Sequence, residues 1–442
     1  MAGRFGTDGI RGPVGSAIDA GLAMALGRAV GHRLGGSGRS LLLGRDTRRS
    51  GEMLSAALVA GVTSTGTDAV DLGVVTTPCL VHASIDTRHA AGIMVSASHN
   101  PAPDNGLKVV VGGRKADDAT EADLDALIDE PSPIPSRAND ALGRVRPDRE
   151  ALDAYTRQLR EVAGDAFGGL RLGIDCANGS ASTIAPDLFR SLGAKVTVLF
   201  DAPNGTNINE GCGSTHPERL AETVAAAGLD IGFAFDGDAD RLIAVDERGQ
   251  LVDGDALMGI CALERLARGT LRNSVLVATV MSNGGLERAV QAAGGTMVRT
   301  PVGDRHVFEA MERTDAVLGG EQSGHIIFRD RSTTGDGLLT GIELVRAVRG
   351  AGVPLSELAA RIPRLPQVVI NSPVRRSDDW QTDAEFVAAV ERATARMGDR
   401  GRVLVRPSGT EPKIRIMVEG DDADEIDRVA RELATLAEAR LN

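Results

Sequence analysis

Two short stretches of this 442-residue chain hold side chains able to move a phosphoryl group. In Val95-Ser96-Ala97-Ser98-His99-Asn100-Pro101 the Ser98 hydroxyl can carry an esterified phosphate, with Ser96 as its competitor. In Asp236-Gly237-Asp238-Ala239-Asp240-Arg241 the carboxylates recur at every second position. On an extended backbone that spacing turns all three to one side, and the small Gly237 and Ala239 leave room there for one ion. A hydroxyl that carries phosphate needs a divalent cation to neutralise charge while the phosphoryl group moves. Ser98 beside Mg²⁺ held by Asp236, Asp238 and Asp240 is therefore a coherent donor site, and phosphoryl transfer is the expected reaction.

The competing reading of the triad is a calcium loop of the EF-hand kind, since Glu247 stands twelfth counting from Asp236. It fails because the sixth position, where such loops need Gly, is Arg241, and because Phe233–Phe235 and Leu242–Val245 read as strands. A plain acidic turn is the other alternative.

Further candidates surround these two stretches. His99 and Asn100 can steady a phosphate on Ser98, and Lys108 can return to the same loop as a general acid or base once burial or nearby cations tune it. Arg406-Pro407-Ser408-Gly409-Thr410-Glu411-Pro412-Lys413-Ile414-Arg415 joins two expected strands with hydroxyls, backbone amides and flanking cations, the makings of a clamp for a substrate phosphate. Gly319-Gly320-Glu321-Gln322-Ser323-Gly324-His325 offers a carboxylate and a hydroxyl for sugar hydroxyls, with His325 as a proton carrier. Gly303-Asp304-Arg305-His306 reads as an ordinary helix start, Asp304 capping it and Arg305 on the surface.

These loops need a scaffold of alternating strands and helices. A helix over Leu22–Leu34, a buried strand at Ser40–Gly44, a helix through Leu54, Leu58 and Val62, and strands at Gly92–Val95 and Leu107–Val111 are expected to make a first α/β domain, residues 1–147. The prolines of Glu130–Ser136 cannot continue a helix and mark its end. Residues 148–253 form a second α/β domain whose strand Asp230–Phe235 delivers the Asp triad, and residues 254–366 a third with the Glu321 loop. Residues 367–442 read as a smaller α+β domain carrying the Arg406 loop. The fold class is thus three related α/β domains plus a C-terminal α+β domain around a central cleft. The three units suggest a diverged duplication, although no repeat is visible residue by residue.

Composition narrows the partners. Aromatics are only 2% of the chain, so stacking platforms for bases are scarce and the cores must be aliphatic. A net charge of −12 disfavours nucleic acid and anionic membranes as partners, since both require a basic face. Cys79, Cys176, Cys212 and Cys261 are far apart and read as buried free thiols. No apolar run approaches the ~18–20 residues of a membrane helix, and Met1–Gly6 has no apolar signal core, so a cytoplasmic protein is expected. A homodimer is compatible with these features.

Five motifs in order, Phe5–Gly12, the Ser98 loop, Asp236–Arg241, Gly320–His325 and Arg406–Pro412, resemble those of the α-D-phosphohexomutase superfamily, most of all its bacterial phosphoglucosamine mutase branch. The resemblance spans essentially the whole chain. It implies a phosphorylated Ser98, with Mg²⁺ on its phosphate and on Asp236, Asp238 and Asp240; Arg11 and Arg241 supporting the reacting phosphoryl group; and Lys108 and His325 moving protons. It also implies Glu321 and Ser323 on sugar hydroxyls, and Arg406, Ser408, Gly409, Thr410 and Arg415 on the distal phosphate. The implied substrate is a phosphohexosamine, glucosamine 6-phosphate, converted to the 1-phosphate through a sugar bisphosphate that also serves as activator. Ala239, where relatives often have Gly, and His306, where they often have Tyr, depart from the pattern without touching a ligand.

Overall fold

The computed structural model describes residues 4–6, 8–36, 38–129, 134–148, 150–377, 379–407 and 413–442. Three sheets repeat one four-strand order. In the first, Ala69–Val74, Ser40–Arg45 and His89–Val95 run parallel and Asp104–Val111 returns antiparallel. In the second the same places are filled by Lys195–Leu199, Arg171–Asp175, Ile231–Phe235 and, antiparallel, Leu242–Val245. The third uses Thr296–Thr300, Val275–Thr279, Leu318–Gly320 and, antiparallel, Ile326–Phe328.

The connection between the third and fourth strands is a short antiparallel return in every case. Those three returns are the Ser98 loop, the Asp236–Arg241 loop and the Glu321–His325 loop. Each leaves the carboxyl end of a parallel strand, the edge at which α/β sheets bind ligands. The duplication invisible in residue identity is therefore explicit in strand order, and it puts the three loops at equivalent places.

A fourth, all-antiparallel sheet, Gln367–Pro373, Lys413–Gly420 and Gly401–Pro407, packs against helices Ala384–Met397 and Ala423–Arg440. Asp383 caps the first helix by accepting from Phe386 N, and Asp422 caps the second. Among the described residues no helix is long and apolar enough to cross a membrane.

Helix Gly337–Ala351 is buried almost all round, so it shows no amphipathic stripe and its sequence does not announce it. Its N-cap Asp336 accepts from Leu339 N and from the hydroxyl of Tyr155, and its first residue, Gly337, donates to Ala239 O at 3.0 Å. The helix thus starts on the back of the Asp triad loop.

Beneath that loop the aromatic content is concentrated. Phe167, Phe189, Phe233 and Phe235 form a chain of tilted and edge contacts with centroid separations of 5.1, 5.6 and 6.4 Å, in a core that is otherwise mainly aliphatic. Such offset pairs add to the burial of the rings themselves. Phe189→Ala, in the middle of this chain, is expected to cost about 3–5 kcal/mol, read as a lowered midpoint of thermal unfolding.

Candidate active site

The two loops singled out first do meet. Ser98 is buried, and its Oγ donates to Asp236 Oδ2 at 2.5 Å across the boundary between the first and second sheets. An ideal Cβ on Gly237 would lie 2.6 Å from Ser98 O, so only glycine lets the loops approach this closely.

Ser98 sits at φ 53°, a left-handed conformation that a non-glycine residue adopts at a cost. Arg48 holds it there. The fully buried Arg48 side chain pairs with Asp46 at 2.9 Å, and its terminal nitrogens donate to the carbonyls of Ser98, Asn100, Pro101 and Asp104. Asn209, from the second domain, donates to Ser98 O and Asn100 O at 2.9 and 3.0 Å. Ser96, the competing hydroxyl, is spent inside this frame: it donates to Asp46 and accepts from Ser98 N. The Asn100 amide likewise turns to Asp104, while His99 Nδ1 lies 3.4 Å from Ser98 Oγ.

Arg48 and Asp46 were missed in the sequence. Their signal was nonetheless present: two charged residues directly after the apolar strand Ser40–Arg45, at its carboxyl end.

Asp236, Asp238 and Asp240 are all buried and each offers an oxygen within 4.8 Å of the others. Ala239 lies between them at φ 56°, the conformation glycine would take without strain, which gives the Gly of relatives a physical reason. Burial and the two neighbouring acids push Asp236 well above the ordinary carboxylate range. At Asp240 burial is outweighed by His325 and Lys108, which hold it well below.

Positive charge gathers on all sides. Lys108, buried rather than on the surface, lies 2.8 Å from Asp238, 3.3 Å from Asp8 and 3.8 Å from Asp240. Thr77 Oγ1 donates to Asp238 at 2.6 Å, Arg241 N donates to Asp236, and Arg11 pairs with Asp8. Even so, Asp238 Oδ1 and Asp240 Oδ1 are buried and accept no hydrogen bond from the described residues, the latter with His325 Nδ1 3.5 Å away. Orphaned carboxylate oxygens converging on one point are the donor set of a hard divalent cation, and the triad fits one.

The Glu321–His325 loop is tied to the triad loop through Leu242 N, which donates to Gly324 O at 3.0 Å. Glu321 accepts from Gly303 N, and the buried Ser323 hydroxyl has no hydrogen-bond partner among the described residues. At His325 burial opposes the charged form, but Asp240 and Asp304 outweigh it and raise the imidazole above its ordinary value.

One expectation is corrected here. Gly303, not Asp304, occupies the cap position of helix Asp304–Thr314, and the Asp304 carboxylate turns inward to Lys115 and His325. Arg305 is not on the surface either; it donates to Ala116 O and Glu121 of the first domain. The helix start is an interdomain contact, which single-helix rules do not anticipate.

Arg406 and Arg415 are direct partners across the antiparallel pair, and among the described residues neither has a carboxylate partner. Like charges directly opposite each other repel, which an anion between them would relieve. Thr7 and the loop positions Ser408, Gly409, Thr410, Glu411 and Pro412 lie outside the described residues.

Comparisons with known proteins match this arrangement domain by domain. Residues 2–133, 153–249 and 253–365 match the phosphoglucomutase/phosphomannomutase α/β/α domains I, II and III, and residues 369–436 match the C-terminal domain of that family. The chain is 50% identical to a phosphoglucosamine mutase of Symbiobacterium thermophilum over 100% of both chains. It is 47% identical to a phosphoglucosamine mutase of Moorella thermoacetica over 99% of both. A crystal structure of a phosphoglucomutase/phosphomannomutase family protein from Burkholderia thailandensis superposes with a TM-score of 0.83 at 29% identity, covering 99% of this chain and 98% of that one.

Arg48→Met strands the buried Asp46 carboxylate and four carbonyls, and is expected to cost about 3–5 kcal/mol in thermal or denaturant unfolding. A second expectation concerns pH. Burial, then the charges of Arg241 and Arg11, lower the His99 pKa from 6.5 to about 4. The unfolded chain therefore takes up a proton that the folded chain refuses, and stability falls as pH drops from 6.5 towards 4. His99→Gln in the unphosphorylated protein is expected to flatten that part of the stability profile.

Proposed function

The chain belongs to the α-D-phosphohexomutase superfamily, and from that premise we propose that it interconverts glucosamine 6-phosphate and glucosamine 1-phosphate through a phosphorylated Ser98 and a glucosamine bisphosphate, on the route to UDP-N-acetylglucosamine. The observation that carries this reading is the Ser98 hydroxyl lying 2.5 Å from one of three converging buried carboxylates.

Asp236, Asp238 and Asp240 would hold Mg²⁺ together with a phosphate on Ser98, and the cation would neutralise the charge of the transferring group. Arg11 and Arg241 bracket the same charge from the first and second domains. Arg48 and Asn209 keep the serine loop from following the phosphoryl group as it leaves.

In the first transfer the bond from phosphorus to Ser98 Oγ breaks, and a bond to the free sugar oxygen forms. The proton of that hydroxyl passes to the Lys108 and His325 side of the pocket. Ser98 Oγ takes up a proton as it is released. After the bisphosphate turns over, that proton leaves as the other phosphate's bond to the sugar breaks and its bond to Ser98 Oγ forms, and the newly freed sugar oxygen takes up a proton. Glu321 and Ser323 grip the sugar in both orientations. The Glu321 carboxylate suits an amino sugar, whose ammonium it can pair with. Arg406, Ser408, Gly409, Thr410 and Arg415 hold whichever phosphate is not reacting, so one clamp serves two substrate poses. Because the bisphosphate must turn over without escaping, a closed, water-poor cleft favours the reaction. A cytoplasmic location belongs to the same reading.

Intact-mass measurement of the purified protein is expected to show one phosphate increment that Ser98→Ala abolishes together with turnover. Phosphorus NMR should then show phosphate conserved on sugar, with kcat/KM higher for glucosamine than for glucose or mannose phosphates. Free phosphate as the main product, or full activity of unphosphorylated protein without a bisphosphate primer, would overturn the proposal.

A further inference from the structure

Lys115 and Asp304 have no part in the transfer described above, yet both are drawn into the wall of the pocket, their side chains 18% and 13% exposed. Lys115 comes from the short strand Arg114–Lys115 of the first domain and Asp304 from the first turn of helix Asp304–Thr314 in the third. The Lys115 ammonium pairs with both Asp8 and Asp304. Asp304 Oδ2 lies 3.5 Å from His325 Nε2, and His325 Nδ1 lies 3.5 Å from Asp240 Oδ1. Lys108 closes the circuit, 3.8 Å from Asp240 and 3.3 Å from Asp8. Six side chains, Lys108, Asp8, Lys115, Asp304, His325 and Asp240, thus form a closed circuit in which acidic and basic groups alternate, drawn from three domains.

The circuit restrains an imidazole that is otherwise weakly restrained. The terminal torsion of histidine is broad and roughly two-fold, so a single contact does not fix which nitrogen faces the reacting group. Here each nitrogen has a carboxylate 3.5 Å away, and Gly335 N–H donates to Nε2 at 3.1 Å, so the ring is held from the backbone as well. Gly335 also has no room for a side chain: an ideal Cβ would run into the His325 ring. Asp304 is kept as an anion for this purpose, since burial alone would raise its pKa but Lys115 and His325 outweigh it and hold it at about 2.

We infer that Asp304, with Lys115 as its counter-ion, is a positioning residue: it fixes the orientation of His325 at the transfer centre and does so only when the first and third domains are docked. The inference rests on the proton-handling role given to His325 in the proposed mutase reaction. The bland alternative is an interdomain ion pair that stabilises the fold and acts on catalysis no more through His325 than through anything else.

A double-mutant cycle separates the two. Full-length wild type, Asp304→Asn, His325→Gln and the double variant are compared for turnover of glucosamine 6-phosphate with Mg²⁺ and bisphosphate primer. Asp304→Asn is expected to lower kcat by about 10- to 100-fold with KM changed less than about twofold. In the His325→Gln background the same substitution should cost less than about twofold. An equal factor in both backgrounds overturns the inference. Should Asp304→Asn not fold, Lys115→Gln replaces it in the same cycle, with the same two readings.

A second arm does not depend on turnover. The His325 ring signals, assigned in nitrogen-15 histidine spectra as those lost in His325→Gln, are expected to move in Asp304→Asn or, failing that, in Lys115→Gln. Unmoved signals overturn the inference as well. A wild type inactive on glucosamine 6-phosphate would instead count against the proposed reaction, and the spectroscopic arm would still decide the role of Asp304.

Discussion

Three carboxylates buried within 4.8 Å of one another repel, and the protein around them is organised by that repulsion. Removing one charge from water is costly, and removing three of like sign is tolerable only where countercharge is close or a proton is taken up. Both responses are visible. Asp236 is pushed towards its neutral form, while Asp238 and Asp240 draw Lys108 and His325 inwards. The backbone takes part too: Thr77 N, Ser180 N and Gly337 N donate to the carbonyls of Asp238, Gly237 and Ala239, pinning the loop from three separate elements. What remains unsatisfied after all this, one oxygen each of Asp238 and Asp240, is the part a cation supplies.

The same strand order, repeated three times, solves the problem of delivering unlike chemistry to one place. Each sheet ends its run of parallel strands with an antiparallel return. The returns carry a hydroxyl in the first domain, carboxylates in the second, and a carboxylate with an imidazole in the third. Scaffold and chemistry are separated: the strands bury Leu, Val and Ile in all three copies, while the loops differ freely. Hence the copies share topology without sharing recognisable sequence.

Much of this was legible in the chain before any coordinates. The period-two carboxylates and the short apolar strands are local signals: strand Ile231–Phe235 lies within a residue of its expected bounds, whereas His89–Val95 and Asp104–Val111 each begin three residues before the apolar runs that announce them. The Asp46–Arg48 frame, the Lys115–Asp304 pair and the helix Gly337–Ala351 were not read. The first two are made by residues far apart in sequence, whose individual types, a charged residue after a strand or at a helix start, have a commoner solvent-exposed meaning. The helix is buried on nearly every side, which erases the periodicity that would reveal it. Local rules also misread Asp304 and Arg305, because another domain rather than water lies beside that helix start.

The bond from Ser98 to Asp236 spans 138 residues. On a chain emerging from the ribosome, the first domain and its serine return are complete well before the acidic loop has been made, since domains fold as units from the amino end. The Arg48 clamp and the return it holds are native to that first domain, so the serine can be set in its left-handed turn early, while its acceptor in Asp236 is still unsynthesised. The centre is thus completed only when the second domain, with Asp236 and Asn209, docks onto a serine return that the first domain already holds.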